Sequence, residues 1–163
     1  MIRVVAQGLE QLAVQALVRA ADAALAPVGE VSLTLDRCGG ERLAQTLHTK
    51  APLEIGSAVV TGAGDLAAEF LLHLIVQDGE RPASSTSLRR ALTSAWHRAE
   101  AWQLRSIAAD PCGLLLGREE AAQLVIETFR EQAERGFPSD LYLAVSDPEF
   151  RDRLNATVGS GAA

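Results

Sequence analysis

Two glycine-punctuated segments and a few isolated His, Cys and Asp side chains hold the residue types that chemistry needs. Gly62-Ala63-Gly64-Asp65-Leu66-Ala67 fits the pattern G-x-G-x-x-G/A, whose glycines let a backbone approach a pyrophosphate held at a helix N-terminus. That fingerprint requires a helix next. Residues 70–76 instead are apolar on every side, like a buried strand, so the segment reads as a connection between two strands. Gly113-Leu114-Leu115-Leu116-Gly117 joins a strand to a helix, which is where open α/β sheets hold ligands. Backbone N–H groups at such a helix start attract phosphate. Three leucines make a poor phosphate loop, however, and Glu119 and Glu120 add negative charge at the same place. The leucines are expected to fold onto the core or to meet a partner chain.

The remaining candidates are weaker. His48, His73 and His97 show no i, i+4 pairing with another ligand type, so no metal site is expected. Cys112 lies in a loop after a strand, but no Ser/His/Asp or Cys/His arrangement is visible to activate it. Cys38 and Cys112 are far apart and read as two reduced thiols. Trp96 and Trp102 recur at core spacing on a helix and read as packing residues.

These residues must be positioned by a fold of 163 residues, 48% hydrophobic and 22% charged, a length that buries roughly 70% of the unfolded surface. Fifteen Lys+Arg against 21 Asp+Glu leave a net charge of −6, which disfavours binding to nucleic acid, where a basic surface must neutralise phosphates. Lys50 is the one lysine. No run approaches the ~20 apolar residues that a membrane span needs, and the start carries no signal-peptide pattern. A cytoplasmic protein without membrane contact or cofactor is expected.

Apolar runs at 2–6, 16–20, 57–61, 70–76, 106–109 and 141–145 read as six strands. Ser84 to Ser87 offer caps for a helix carrying Leu88, Ala91, Leu92, Ala95 and Trp96. Residues 119–134 repeat the helical spacing, and Asp147-Pro148 starts another helix through Phe150, Leu154 and Val158. The pattern predicts a single α/β domain over residues 1–158 with a flexible tail at 159–163.

Order and spacing then resemble the macro domain family. Ile55-Gly56-Ser57-Ala58-Val59-Val60-Thr61-Gly62-Ala63-Gly64-Asp65-Leu66 followed by Phe70-Leu71-Leu72-His73 is similar to its G-E-A-x-x-T segment, G-N-L turn and Y-V-I-H strand. Gln7-Gly8-Leu9-Glu10 and residues 14–22 resemble the opening strand, G-D-I turn and A-I-V-N-A-A-N segment. Ser106-Ile107-Ala108-Ala109 with the 113–117 loop resembles the S-I-A-F-P strand and second glycine-rich loop. The resemblance covers residues 2–157. It implies a three-layer α/β/α sandwich around a mixed, mostly parallel sheet of about six strands, with a cleft for ADP-ribose or a related nucleotide.

Carried over position by position, the family's site is largely replaced. Leu9 stands where an aspartate holds adenine, and Arg19 and Asp22 stand at the paired asparagines. The first loop reads Val28-Gly29-Glu30-Val31, with Ser32 where hydrolytic members carry an aspartate. The second keeps only Gly113 and Gly117 around Leu114, Leu115 and Leu116, and Ser146 falls where an aromatic often stacks. The implied cleft residues are therefore Asp22, Gly29, Glu30, Val31, Gly113, Leu114, Leu115, Leu116, Gly117 and Ser146, with no catalytic residue assigned.

Bulk at Leu115 and Glu30 obstructs close backbone approach, and carboxylates at Asp22 and Glu30 oppose a dianionic ligand. Losing the adenine partner removes about 1.5–3 kcal/mol. The sequence thus predicts a divergent member, a non-catalytic binding or interaction module with weakened or lost ADP-ribose binding. The alternatives are a working nucleotide reader and, behind it, an ADP-ribosyl or phosphate hydrolase. Two occupants of the cleft follow: Arg19 paired with Asp22, Glu30 or Asp110, or an apolar ligand between Leu9, Leu33 and Leu114, Leu115 and Leu116. A homo-oligomer through those three leucines is a further expectation.

Overall fold

The computed structural model describes residues 1–79 and 81–160. Ten main elements alternate along the chain. They are β1 (Ile2–Val5), β2 (Ala16–Asp22), α1 (Gly29–Ala44), β3 (Ala58–Gly62), β4 (Phe70–Gln77), α2 (Ser85–Ala101), β5 (Ser106–Ala109), α3 (Arg118–Ala133), β6 (Asp140–Ala144) and α4 (Pro148–Ser160). Short 3-10 turns at Leu9–Gln11 and Pro111–Gly113 follow β1 and β5.

The sheet order is β1-β6-β5-β2-β4-β3, parallel throughout except for β3, which runs antiparallel to β4 at one edge. Gly62 ends β3, and Ala63 to Asp65 begin the connection to β4, with Ala63 N–H donating to Glu69 C=O at 3.0 Å. No helix follows it, so the dinucleotide fingerprint has no helix N-terminus to work with.

Alternation along β2 divides the interior. Ala16, Val18 and Ala20 face the larger core with α2, α3 and α4, through Leu88, Leu92, Trp96, Val125, Phe129, Phe150 and Leu154. Leu17 faces α1, packing with Leu35 and Leu43, while Ala21 joins Leu25 and Ile75. Two helical layers thus enclose the sheet in a three-layer α/β/α sandwich. Trp96 is fully buried, edge-on to Phe129, with its Nε1–H donating to Thr128 Oγ1 at 2.8 Å. Trp102 differs from its expected core role. It caps the C-terminus of α2, stands 51% exposed and meets Phe70 edge-on at 5.3 Å.

Helix boundaries follow local chemistry. Ser84 accepts from Ser87 N–H while Ser87 Oγ accepts from Ser84 N–H, a reciprocal capping box at the start of α2. Asp147 Oδ1 accepts from Glu149 N–H ahead of α4, with Pro148 at the first turn. Helix α4 runs through Gly159 and Ser160, two residues into the segment read as a tail, and residues 161–163 lie outside the described residues. Helix α1 breaks at Gly40 (φ 66°, ψ −162°), where the β3–β4 connection leans on it through Asp65 N–H donating to Gly39 C=O at 3.0 Å.

The candidate ligand cleft

The carboxyl ends of β2, β5 and β6 open onto three connections: 23–28 before α1, 110–117 before α3, and 145–147 before α4. Ligands of open parallel sheets bind at this edge. Among the described residues, the expected cleft positions divide into two groups, one around the α1 start and one in the loop before α3.

The first group is committed to holding the chain. Asp22 Oδ1 accepts from Ala24 N–H at 2.8 Å and Ala26 N–H at 2.9 Å, so this oxygen ties down the turn that follows β2. The turn puts Leu25 in the left-handed region (φ 66°) and aims its carbonyl back at the sheet. There Arg19 Nη2–H donates to Leu25 C=O at 3.2 Å. Ser32, on the first turns of α1, donates its hydroxyl to Ala20 C=O at 2.7 Å and is fully buried. Glu30 is exposed on the first turn of α1, and Ser146 is exposed beyond β6.

Arg19 finds a carboxylate that the sequence did not suggest. Its Nη1 lies 2.7 Å from Asp36 Oδ1 on α1, with the Arg19 side chain buried and that of Asp36 23% exposed. Glu30 and Asp110 do not pair with it. Asp22 acts on it only at longer range, and Asp110 instead accepts from Cys112 N–H at 2.8 Å. Burial pulls Arg19 below its ordinary value against the attraction of Asp36 and Asp22, and burial pushes Asp36 up against the attraction of Arg19. Desolvation therefore outweighs attraction on both partners.

Beside it in register on β4 stands His73, fully buried. Its Nε2 lies 2.7 Å from Thr61 Oγ1, and Thr61 donates its hydroxyl proton to Gly62 C=O at 3.0 Å. That assignment makes Nε2 the protonated nitrogen. Burial, aided by the nearby Arg19 charge, lowers His73 to about 3, so the ring is neutral. His73 is a core residue. His48 and His97 are exposed, and no group of three His, Cys, Asp or Glu able to hold a metal occurs among the described residues. Cys112 is exposed as a residue, but partial desolvation of its thiol and then the Asp110 charge push it up, away from the thiolate that nucleophilic chemistry needs.

The second group closes the gap between the α1 start and the loop before α3. Gly113 lies so close to α1 that a Cβ there would fall 2.6 Å from Val31 Cβ, which no side chain could occupy. Gly29 (φ 85°) faces Leu115, whose Cδ2 would be 3.3 Å from a Cβ on that glycine. Leu114 is buried within the chain, and Leu116 packs against the main core. Of the leucines expected at the cleft, Leu115, 37% exposed, and Leu33, 50% exposed, present the most surface to another molecule. The leucine triplet is thus not an exposed contact surface as a unit.

Leu115 adopts φ 64°. A leucine in the left-handed region costs roughly 1–2 kcal/mol. Covering most of its side chain returns an amount of the same order, about 1–2 kcal/mol. The two terms nearly cancel. Neither α1 nor α3 has a side chain capping its first turn: Val28 and Gly117 occupy those positions.

Sequence reasoning missed Asp36, Leu25 and Thr61 as parts of this region. Asp36 had a signal in principle, one helical turn after the buried Ser32.

The comparisons match this geometry. The macro domain family model covers residues 18–114. An O-acetyl-ADP-ribose deacetylase of Salmonella gallinarum is 30% identical over 158 residues, spanning 91% of this chain and 88% of that protein. An uncharacterised protein of Mycobacterium tuberculosis is 29% identical over 123 residues, spanning 74% of this chain. The chain covers about a third (34%) of that relative's length. Among solved structures, a Trypanosoma brucei macrodomain superposes with a TM-score of 0.81 at 20% identity, over 96% of this chain and 66% of that one. An Oceanobacillus iheyensis macrodomain gives 0.80 at 15% identity, over 96% and 92%. With both its sequence and its six-stranded mixed sheet matched, this chain belongs to the macro domain family.

Proposed function

We propose that this chain is a non-catalytic binding or interaction module of the macro domain family in which ADP-ribose binding is weakened or lost. One observation carries the reading. The start of α1 and the loop before α3, which flank the cleft, meet each other, with Leu115 against Gly29 and Val31 against Gly113. A diphosphate running between them must first part these contacts.

Hydrolysis needs a base or a positioned water beside the reacting bond. Asp22 is the nearest carboxylate by sequence, and its Oδ1 is already occupied by two backbone donors. The hydroxyl of Ser32 is spent on Ala20 C=O. The hydroxyl proton of Ser32 and one of the two carboxylate oxygens of Asp22 are thus committed to the backbone.

A second reading is a working nucleotide reader. It is favoured by the similarity, over 91% of this chain, to a protein named as an O-acetyl-ADP-ribose deacetylase and by the fold shared with a Trypanosoma brucei macrodomain in complex with ADP-ribose. Acetate release from O-acetyl-ADP-ribose separates both of these readings from a hydrolase. The proposal expects release at the spontaneous rate at any protein concentration. Release that scales with protein, and is lost on heat denaturation, contradicts it.

A further inference from the structure

We infer that the open edge of β3 and the flank of α2 beside it dock an extended, acidic peptide segment of a partner protein, added to the sheet as a further strand. The site lies across β4 from β2 and shares no residue with the cleft, so the inference does not depend on what the cleft holds. β3 ends the sheet, and its register with β4 decides which backbone groups it has left over. Ile75 N–H donates to Ser57 C=O and Ala63 N–H to Glu69 C=O, both at 3.0 Å, so Val59 and Thr61 between them face β4. Ala58, Val60 and Gly62 therefore turn their N–H and C=O groups outward, where no strand lies among the described residues. Arg98 and Thr61 donate to the Ala58 and Gly62 carbonyls. The three N–H groups and the Val60 carbonyl are left for an extended backbone, the partner whose spacing they match.

The wall beside this edge sets the chemistry of the partner. Ser57, Ala58, Ser94, His97, Arg98 and Ala101 line a groove of about 280 Å³ between β3 and α2, and none of them is acidic. Arg98 Nε donates to Ala58 C=O at 3.3 Å, which steadies the guanidinium on the edge and leaves its two terminal nitrogens for a carboxylate. Arg90, two turns earlier on α2, lies over Gly56 at the start of β3. Neither arginine forms a salt bridge among the described residues. At the far end, Gly62 has open space where a Cβ would lie, and Phe70, its partner on β4, meets the exposed Trp102. That end suits an apolar side chain. A second copy of this chain is the poorer occupant, because antiparallel pairing of two β3 edges sets both α2 flanks on one face, arginines against arginines.

Random short peptides displayed on phage, selected on the full chain, provide the probe. The tightest is synthesised with a fluorophore and titrated into the parent, Arg98→Glu and Val60→Pro, with folding checked by circular dichroism. Val60→Pro removes an outward N–H and leaves the ladder to β4 intact. Arg98→Glu reverses an exposed charge without touching the core, so it decides the matter even where the proline variant fails to fold. The inference predicts selected peptides that alternate apolar and acidic residues, and binding weakened at least about tenfold in each folded variant. A selection that yields no binder, peptides without acidic bias, or peptides that the folded variants bind as tightly as the parent overturns it. A parent that sediments as a dimer and becomes a monomer in Val60→Pro also overturns it, by giving the edge to a second copy.

Discussion

The guanidinium of Arg19 and the carboxylate of Asp36 meet 2.7 Å apart beneath α1, joining the central strand β2 to the helix that borders the cleft. Arg19 and Asp36, with His73 beside them in register, are polar on a face where Leu17 and Leu71 lie toward one side and Ala21 and Ile75 toward the other. Asp36→Asn leaves a buried cation without its counter-charge and is expected to destabilise by about 3 kcal/mol. The double variant Arg19→Met with Asp36→Leu is expected to be close to neutral, because both desolvation costs disappear together. Urea unfolding of the two proteins measures this. Equal losses in both would show that the pair is not what the charge is responding to.

Acid unfolding reads the His73 ring. Its folded value of about 3 lies below the ordinary 6.5, so the neutral ring contributes stability that is fully present above 6.5 and is lost as pH falls toward 3. The expected slope is at most about 1.4 kcal/mol per pH unit across that window. Asp36, raised by burial, acts with the opposite sign: its contribution is fully present below 3.8 and is lost as pH rises through its raised folded value. The acid end of the curve should therefore flatten. Chemical denaturation at a series of pH values, repeated on His73→Leu, should show the slope between 6.5 and 4 only in the parent. A slope unchanged in the variant would assign it to other groups.

The Trp96–Thr128 hydrogen bond lies in the main core between α2 and α3. Thr128→Val keeps the volume and leaves the indole N–H without its acceptor, which should cost about 1–3 kcal/mol. Trp96→Phe should cost less in this background than in the parent, since the donor it removes is already orphaned. Thermal melts of the single and double variants show whether the coupling has this sign.

Asp22 provides a way to tell a structural carboxylate from a catalytic one. Asp22→Asn retains an oxygen able to accept from the Ala24 and Ala26 N–H groups and should change stability by less than about 1 kcal/mol. Asp22→Ala removes the acceptor and should cost about 1–2 kcal/mol. Neither is expected to alter O-acetyl-ADP-ribose turnover. Turnover by the parent that is lost in both variants, with Asp22→Asn still stably folded, would instead mark the carboxylate as a working base.

Much of the fold was legible because its signals are local. Buried parallel strands such as Phe70–Gln77 are continuous apolar runs, and the capped helix after Ser84 announces itself by serines ahead of core-spaced residues. Helix α1 was hidden. Val31, Leu33 and Leu35 alternate with Ser32 and Thr34 at the period of a strand, and Gly39-Gly40 breaks the pattern before Leu43. With α1 unread, the partner of Arg19 was sought among loop carboxylates, at Asp22, Glu30 and Asp110. It lies instead on a helix face that only tertiary packing sets over β2. Contact between the two loops was foreseeable from the bulk of Leu115. Its left-handed backbone was not, because a leucine does not advertise that conformation.

Calorimetric titration of ADP-ribose into the unmodified protein, with AMP and a buffer blank alongside, tests the central claim most directly. The contacts of Leu115 with Gly29 and of Val31 with Gly113 predict no saturable heat and no thermal stabilisation up to about 1 mM ligand, where binding is worth only about −4 kcal/mol. Saturable binding tighter than about 100 μM, roughly −5.5 kcal/mol, would show that the loops part readily for a diphosphate and would contradict a weakened site.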